Sequence, residues 1–292
     1  MLKLDEKKIR KGKPLGLPYQ GSKKKISKKI VEIIKQNFGT DKPIYDVFGG
    51  GGAIAAECVL NGLEVHYNDL DKDITDMFQR VISQDREWIK TLIVIREEFC
   101  EIKNKDTKTV DDNLKLLINS FGNNKRTYLY SEEWSDMKYN LAIEIINKHD
   151  IFSGYKQTST YRNAIRKYSE HKQLERLQQL EQLEQLQQIE QQGRLQQLQP
   201  TNLSYEAFSN IEGAIFYLDP PYENTTQKSY KGNFDSQKFY DWACEMSKKN
   251  IVLISSYEIS DDRFKCVYEF EKARSTMQSG SAGKTEKLFT AV

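Results

Sequence analysis

The stretch KPIYDVFGGGGAIAAECVLNGLEVHYNDLD, residues 42–71, settles the fold class. Residues 44–48 read as a short strand, apolar, aromatic and β-branched apart from Asp46. Gly49 to Gly52 form a tight loop, residues 53–60 predict a helix, and Asn61 with Gly62 stops it. Residues 63–67 predict a second strand with an acid just past its end. Strand, turn, helix and strand in that order are a βαβ unit, the building block of a parallel sheet. Four successive glycines present backbone without any Cβ, so a ligand can approach it closely. No Gly-Lys-Ser/Thr follows, so this is not a Walker loop, and Ala55 breaks the G-x-G-x-x-G dinucleotide fingerprint. The acid past the second strand sits where the hydroxyls of a nucleoside's ribose would lie. Asp69 is the candidate to accept both, and Asp71 reads as a helix cap.

The same strand-end logic applies to AIFYLDPPYENTT, residues 214–226. Residues 214–218 predict a buried strand that stops at Asp219. Pro220 and Pro221 have no N–H and a fixed φ, so the segment after the strand cannot continue the ladder and is stiff. A carboxylate, a rigid turn and the Tyr222 ring therefore gather at a strand's carboxyl end, the edge at which ligands bind in open α/β sheets. An ordinary strand terminator with a surface turn is the alternative for such a motif standing alone.

A chain of 292 residues can bury one large domain, or one domain with a smaller insertion. The formal net charge is only +2, but residues 1–35 hold twelve Lys or Arg against three acids, as a phosphate-facing surface would. A solvated basic tail is the competing explanation. Cys58, Cys100, Cys244 and Cys266 form no C-x-x-C pair and suit a reducing compartment. No apolar run reaches the roughly 20 residues of a membrane span, and no secretion signal opens the chain. His66, His149 and His171 lack metal-ligand spacing, so no metal is expected. A cytoplasmic monomer is the expectation.

Helices are expected over residues 26–38 and 71–82, and in REWIKTLIVIREEF, DDNLKLLINSFG and EEWSDMKYNLAIEIIN. Residues 171–199 are a Gln/Leu/Glu low-complexity tract with Leu or Ile at 174, 177, 180, 183, 186, 189, 195 and 198. Three residues advance an α-helix by about 300°, so a period of three winds the apolar stripe around the helix and makes no heptad seam. A helical or irregular surface excursion is expected there. Strands resume with NLSYEAF, AIFYL, NIVLISSY and EKLFTAV. The fold class is α/β: a Rossmann-like, doubly wound sheet from residues 1–84 and 200–292, interrupted by a mainly helical insertion over 85–199.

DVFGGGG, residues 46–52, resembles the D-x-F-x-G-x-G loop of S-adenosylmethionine-dependent amino-methyltransferases acting on DNA, and DPPY, 219–222, resembles their catalytic signature. PYQGSKKKI, 18–26, is similar to the amino-terminal element, aromatic-x-Gly-Gly/Ser-Lys, of the Dam-like (alpha-class, D12) adenine methylases. The order of these motifs also matches that class. The resemblance covers residues 14–82 and 200–292, and residues 85–199 then occupy the place of the target-recognition domain. It implies that Tyr19 and Lys23 contact S-adenosylmethionine, that Phe48, Gly50 and Gly52 shape its pocket, and that Asp69 holds its ribose. Asp219 would touch both the cofactor and the target base. Tyr19 stands where Dam has tryptophan, which retains an aromatic face.

The implied reaction is methyl transfer to the 6-amino group of an adenine flipped from double-stranded DNA. That nitrogen is a poor nucleophile because its lone pair is delocalised into the ring. Hydrogen bonds accepted by the Asp219 carboxylate and the Pro220 carbonyl would draw it toward a tetrahedral state, and Tyr222 could stack on the base. Pro221 stiffens the same turn. Lys24, Lys25, Lys28 and Lys29 could grip phosphates, and Lys125, Arg126, Tyr128 and Tyr130 mix cations with aromatic rings as a DNA-reading loop would. Arg162, Arg166 and Lys167 are further candidates. Competing functions are the same transfer to the 4-amino group of cytosine, where Ser more often precedes Pro-Pro, transfer to RNA or a protein amide, and a DNA-binding module on a decayed methylase fold.

Overall fold

The structure, a computed structural model, describes residues 1–19, 21–168, 175–223, 234–271 and 285–292. His171 and the first four residues of the Gln/Leu tract, 171–174, lie outside the described residues. In chain order the elements are α1 (Ser27–Phe38), β1 (Ile44–Asp46), α2 (Ala53–Leu60), β2 (Val65–Tyr67), α3 (Lys72–Ile82), α4 (Arg86–Lys90), α5 (Arg96–Asn104), α6 (Val110–Ile118), α7 (Glu132–His149), α8 (Ser159–Lys167), α9 (Gln178–Glu190), β3 (Ile215–Leu218), α10 (Ser236–Ser247), β4 (Ile251–Ser256), β5 (Phe264–Glu269) and β6 (Lys287–Ala291). Short 3-10 turns join several of them. The chain divides into two compact units, one of Met1–Pro14, Lys23–Thr75 and Gln197–Val292, the other of Leu15–Ser22 and Asp76–Gln196.

The first unit is built on a six-stranded sheet in the order β2-β1-β3-β4-β6-β5. β1, β2, β3 and β4 are parallel, while β6 is antiparallel to both β4 and β5. With helices on both faces, the mixed α/β sheet has the Rossmann-like, doubly wound arrangement expected. Strand alternation sorts its side chains into two cores. Ile215, Tyr217, Leu253 and Leu288 face α1 and α2 on one side. Phe216, Leu218, Val252, Ile254 and Phe289 face α10 on the other. From β1 the chain crosses one way to β2 and, after a long excursion, returns to β3 on β1's other side. That reversal makes the carboxyl ends of β1 and β3 the edge at which such sheets bind ligands.

Arg10 fastens the amino-terminal segment to this unit. Its guanidinium makes a two-pronged pair with Glu57 of α2, at 2.8 Å from each carboxylate oxygen, and also donates to the carbonyls of Lys11 and Lys13. The residues expected as a strand over 202–208 form instead the 3-10 turn Tyr205–Phe208. Only Thr201 pairs in strand fashion, with Asn68, and the Asn202 amide donates to the Asp69 carbonyl and the Thr75 hydroxyl. Asn202 takes partners across the sheet edge and Ser204 bonds locally to Glu206, in place of a ladder.

The second unit is helical, with a short hairpin at residues 119–130 closed by bonds between Phe121 and Thr127 and between Leu129 and Asn119. REWIKTLIVIREEF is two helices, α4 and α5, and not one. The Asn119 side chain accepts from the Val94 amide and donates to the Leu92 carbonyl, holding extended the apolar, β-branched run between them. The Gln/Leu tract departs most from expectation. α9 is no surface excursion: Leu177, Leu180, Leu183, Leu186 and Ile189 are all fully buried. α4, α6 and α7 each pack against it. A stripe that winds around a helix has no single partner face, and neighbours on several sides bury it all. Gln179 is buried as well, its amide donating to the Val94 carbonyl and to Asn119 Oδ1.

Candidate active site

The parallel register sets Asp46 of β1 opposite Tyr217 of β3, so the segments that follow, the glycine loop and Asp219, leave the sheet side by side. Gly50 has φ 49° and Gly52 φ 75°, left-handed values that a side chain would strain. Gly52 is the N-cap of α2, and its amide donates to the Gly49 carbonyl at 2.9 Å. Gly49 is needed for space. A Cβ built there would lie 2.6 Å from two ring carbons of Tyr67 and 3.0 Å from Asp46 Oδ2. Tyr67 cannot yield readily, since its ring is buried and its hydroxyl donates to the Gly50 carbonyl at 2.6 Å. Gly49→Ala is therefore expected to cost about 2 kcal/mol of stability by overpacking, read as a lowered urea midpoint. A midpoint equal to that of the wild type would show that the loop can open.

Acids surround this loop. Asp69 Oδ2 accepts from the Gly50 amide at 2.7 Å, and its Oδ1 accepts from Asp71 at 2.8 Å. Each oxygen keeps a lone pair for a further donor. Asp46 Oδ2 accepts from the Ala55 amide in the first turns of α2, while its Oδ1 is buried and takes no hydrogen bond from the protein. Burial pushes both carboxyls up, Asp46 far above its ordinary value, partly offset by these amides. Asn68, also buried, ties β2 to the segment after Thr201: it donates to the carbonyls of Val47 and Leu203 and accepts from the Leu203 amide.

Asp219 follows β3, and Pro220 and Pro221 are buried behind it. The Lys23 ammonium lies 2.8 Å from Asp219 Oδ1, 3.8 Å from Glu286 Oε1 and 5.0 Å from the centre of the Tyr222 ring. The Tyr222 hydroxyl lies 3.0 Å from Asp219 Oδ1 and 2.5 Å from Glu286 Oε1, and its ring packs edge-on against Tyr257. Burial works against the Lys23 charge, but Asp219 and Glu286 outweigh it and raise its pKa. Burial raises Asp219 too, with Lys23 opposing. Lys23 therefore remains an ammonium, and the two carboxyls that share it hold protons more readily than free acids do. Phe48 is half-buried in an aromatic cluster with Tyr205, Phe234 and Phe239.

The other sequence candidates divide. Tyr19 belongs to the second unit, where its carbonyl accepts from Ser22. Lys24 and Lys25 lie on the 3-10 turn Lys23–Lys25, Lys25 exposed. Lys28 donates its ammonium to the Gly12 carbonyl at 2.8 Å, and Lys29 pairs with Glu6. Tyr128 is not a surface reader. Its ring is buried against Phe99 and Tyr130, and its hydroxyl donates to the Val94 carbonyl at 2.8 Å. Tyr128, Leu129 and Tyr130 are buried in succession at the end of the hairpin, while Arg126 is exposed and Lys125 half-buried nearer its turn. Phe121 in the same hairpin is 64% exposed, an apolar surface residue that sequence reasoning passed over. On α8, Arg162, Arg166 and Lys167 are exposed. Glu286 was also missed, and the acid directly ahead of the last apolar run was its only signal.

The site suits a donor of S-adenosylmethionine type. Such a molecule carries an ammonium, a sulfonium and ribose hydroxyls, and the loop offers carboxylates with lone pairs to spare and one buried oxygen without a partner. Among the described residues no cluster of three or more His, Cys, Asp or Glu is placed to hold a metal ion, and no helix is long and apolar enough to cross a membrane.

The family described as D12 class N6 adenine-specific DNA methyltransferase matches residues 19–279. No curated protein matches the chain. Among solved structures it is similar to the rRNA methyltransferase aviRa from Streptomyces viridochromogenes, at 9% identity over 91% of this chain and 84% of that one, with a TM-score of 0.36. So remote a likeness carries no argument about substrate.

Proposed function

The chain belongs to the D12 class N6 adenine-specific DNA methyltransferase family, and from that premise we propose that S-adenosylmethionine is its donor and that its substrate is an adenine turned out of double-stranded DNA, met by Asp219, Pro220 and Tyr222. The enzyme is an adenine methyltransferase whose substrate is DNA. The observation that carries the finer reading is the placement of Asp219 beside the glycine loop, at the point where the sheet reverses direction.

When bound, the donor supplies a methyl group on a positively charged sulfur. The protein's part is to hold the two reactants and shape the lone pair. Asp69 is set to accept from ribose hydroxyls, and the bare backbone at Gly50 and Gly52 lets the donor lie close, with Phe48 beside it. Lys23 balances the Asp219 charge. Asp219 and the Pro220 carbonyl accept the two amino hydrogens of adenine, which localises the nitrogen lone pair. The proline ring fixes the direction of that carbonyl, Pro221 keeps the turn stiff, and Tyr222 supplies a stacking face for the extruded base. Stacking of this kind is worth about 1–3 kcal/mol, which offsets part of the unpairing cost.

Lys24, Lys25, Lys125 and Arg126 serve phosphate contacts. Phe121, exposed on the same hairpin as Arg126, can press between base steps as an apolar wedge. The reading is tested by incubating the protein with methyl-labelled S-adenosylmethionine and unmethylated duplex DNA, then hydrolysing the DNA and separating its nucleosides. Label is expected in N6-methyldeoxyadenosine. Label confined to cytosine, RNA or protein would sink the reading, and label on single strands alone would sink its duplex part.

A further inference from the structure

A second carboxylate meets Asp219 from a strand that the reading above leaves unused. β6 runs antiparallel to β4 with Lys287 opposite Ser256, so its start lies at the same sheet edge as the ends of β1 and β3. Glu286, one residue earlier and 7% exposed, is delivered there. Several side chains surround it among the described residues. The Tyr222 hydroxyl is 2.5 Å away and the Lys23 ammonium 3.8 Å. Asp219 acts on it through space, Ser255 of β4 bonds to it, and the Tyr217 hydroxyl reaches that serine at 2.9 Å. Tyr257 lies behind Tyr222, with ring centres 4.8 Å apart, and also faces Lys23.

The donors around Asp219 raise a problem that Glu286 solves. Asp219 Oδ1 has both the Lys23 ammonium and the Tyr222 hydroxyl within 3.0 Å. An oxygen so engaged has little left for an adenine amino group. A phenol has one proton to donate, and the Tyr222 oxygen lies closer to Glu286 than to Asp219. We propose that Glu286 is a positioning residue for methyl transfer, holding the Tyr222 hydroxyl and sharing the Lys23 ammonium so that Asp219 keeps lone pairs for the target amino group. This rests on the reading of Asp219 as acceptor.

Glu286→Gln keeps the shape and removes the charge. Lys23 then pairs with Asp219 alone, which occupies that carboxylate and makes it easier to ionise. kcat is expected to fall about 10²-fold, the scale of a misplaced reacting group. KM for DNA and the affinity for S-adenosylhomocysteine, measured by calorimetry, should hold within about threefold on the same argument. The acid limb of the kcat–pH profile should move to lower pH, and Glu286→Asp, which restores the charge, should bring it back. A purely structural residue would lower activity and melting temperature together without moving that limb.

The readout independent of turnover is the ¹⁵Nζ resonance of Lys23, assigned with Lys23→Arg, which should shift in Glu286→Gln. An unmoved resonance, an unmoved acid limb, or kcat within threefold of wild type each overturns the proposal. A wild-type protein that methylates no adenine, while the Lys23 resonance still shifts, condemns the reading of the site and leaves the Glu286–Lys23 pairing standing.

Discussion

Asp219→Asn is expected to lower kcat about 10³-fold, the upper range for losing one electrostatic contact made to the reacting group, while DNA and S-adenosylhomocysteine still bind. The variant nearly keeps the shape of the side chain but replaces one acceptor oxygen by an NH₂ group. An adenine amino group offers hydrogens and can only be repelled by it, so one of the two contacts that localise the lone pair is lost. The fold should tolerate the change, because Lys23 still has Glu286 nearby and remains paired. Single-turnover transfer, calorimetry and thermal melting separate the three effects. Transfer within tenfold of wild type would remove Asp219 from the chemistry. In the wild type, activity should fall as pH drops through the Asp219 value. Burial places that value above the usual carboxylate range despite Lys23, so the loss begins at a higher pH than a free aspartate would give.

The parts of this site that sequence reasoning found are those whose signals are local. A glycine run between a strand and a helix, or an acid and two prolines behind an apolar run, marks its own structure, and α2 forms over the residues expected of it. Both motifs lie at strand ends that the parallel sheet must bring to one edge, so their meeting was legible too. Glu286 was not, because its position depends on β6 running antiparallel, and nothing within EKLFTAV states its direction. The surroundings of Lys28 and Tyr128 were not legible for a related reason. Whether a lysine meets phosphate or a neighbouring carbonyl, and which face of a hairpin a tyrosine takes, is settled by partners distant in sequence, here Gly12 and Val94. The polar composition of the Gln/Leu tract concealed a buried stripe, because three neighbouring helices supply the cover that one face could not.

That burial makes Leu183→Ala the most damaging change expected outside the transfer centre. Leu183 is fully buried in the middle of α9, with Leu180 one step before it and Leu186 one step after. Truncation removes the transfer free energy of three carbons and leaves a cavity that a helix packed by α4, α6 and α7 cannot easily close. A loss of about 3 kcal/mol follows from the range for such sites. Gln196→Ala, exposed in the same tract, should change stability by no more than about 0.5 kcal/mol. Urea unfolding followed by tryptophan fluorescence can report on this unit, since Trp88 and Trp134 lie within it. A tract that merely decorated the surface would give two small and equal effects. A large loss at 183 beside none at 196 means that a repeat with the wrong period for a coiled coil is nonetheless the centre of a bundle, its leucines buried among several neighbouring helices.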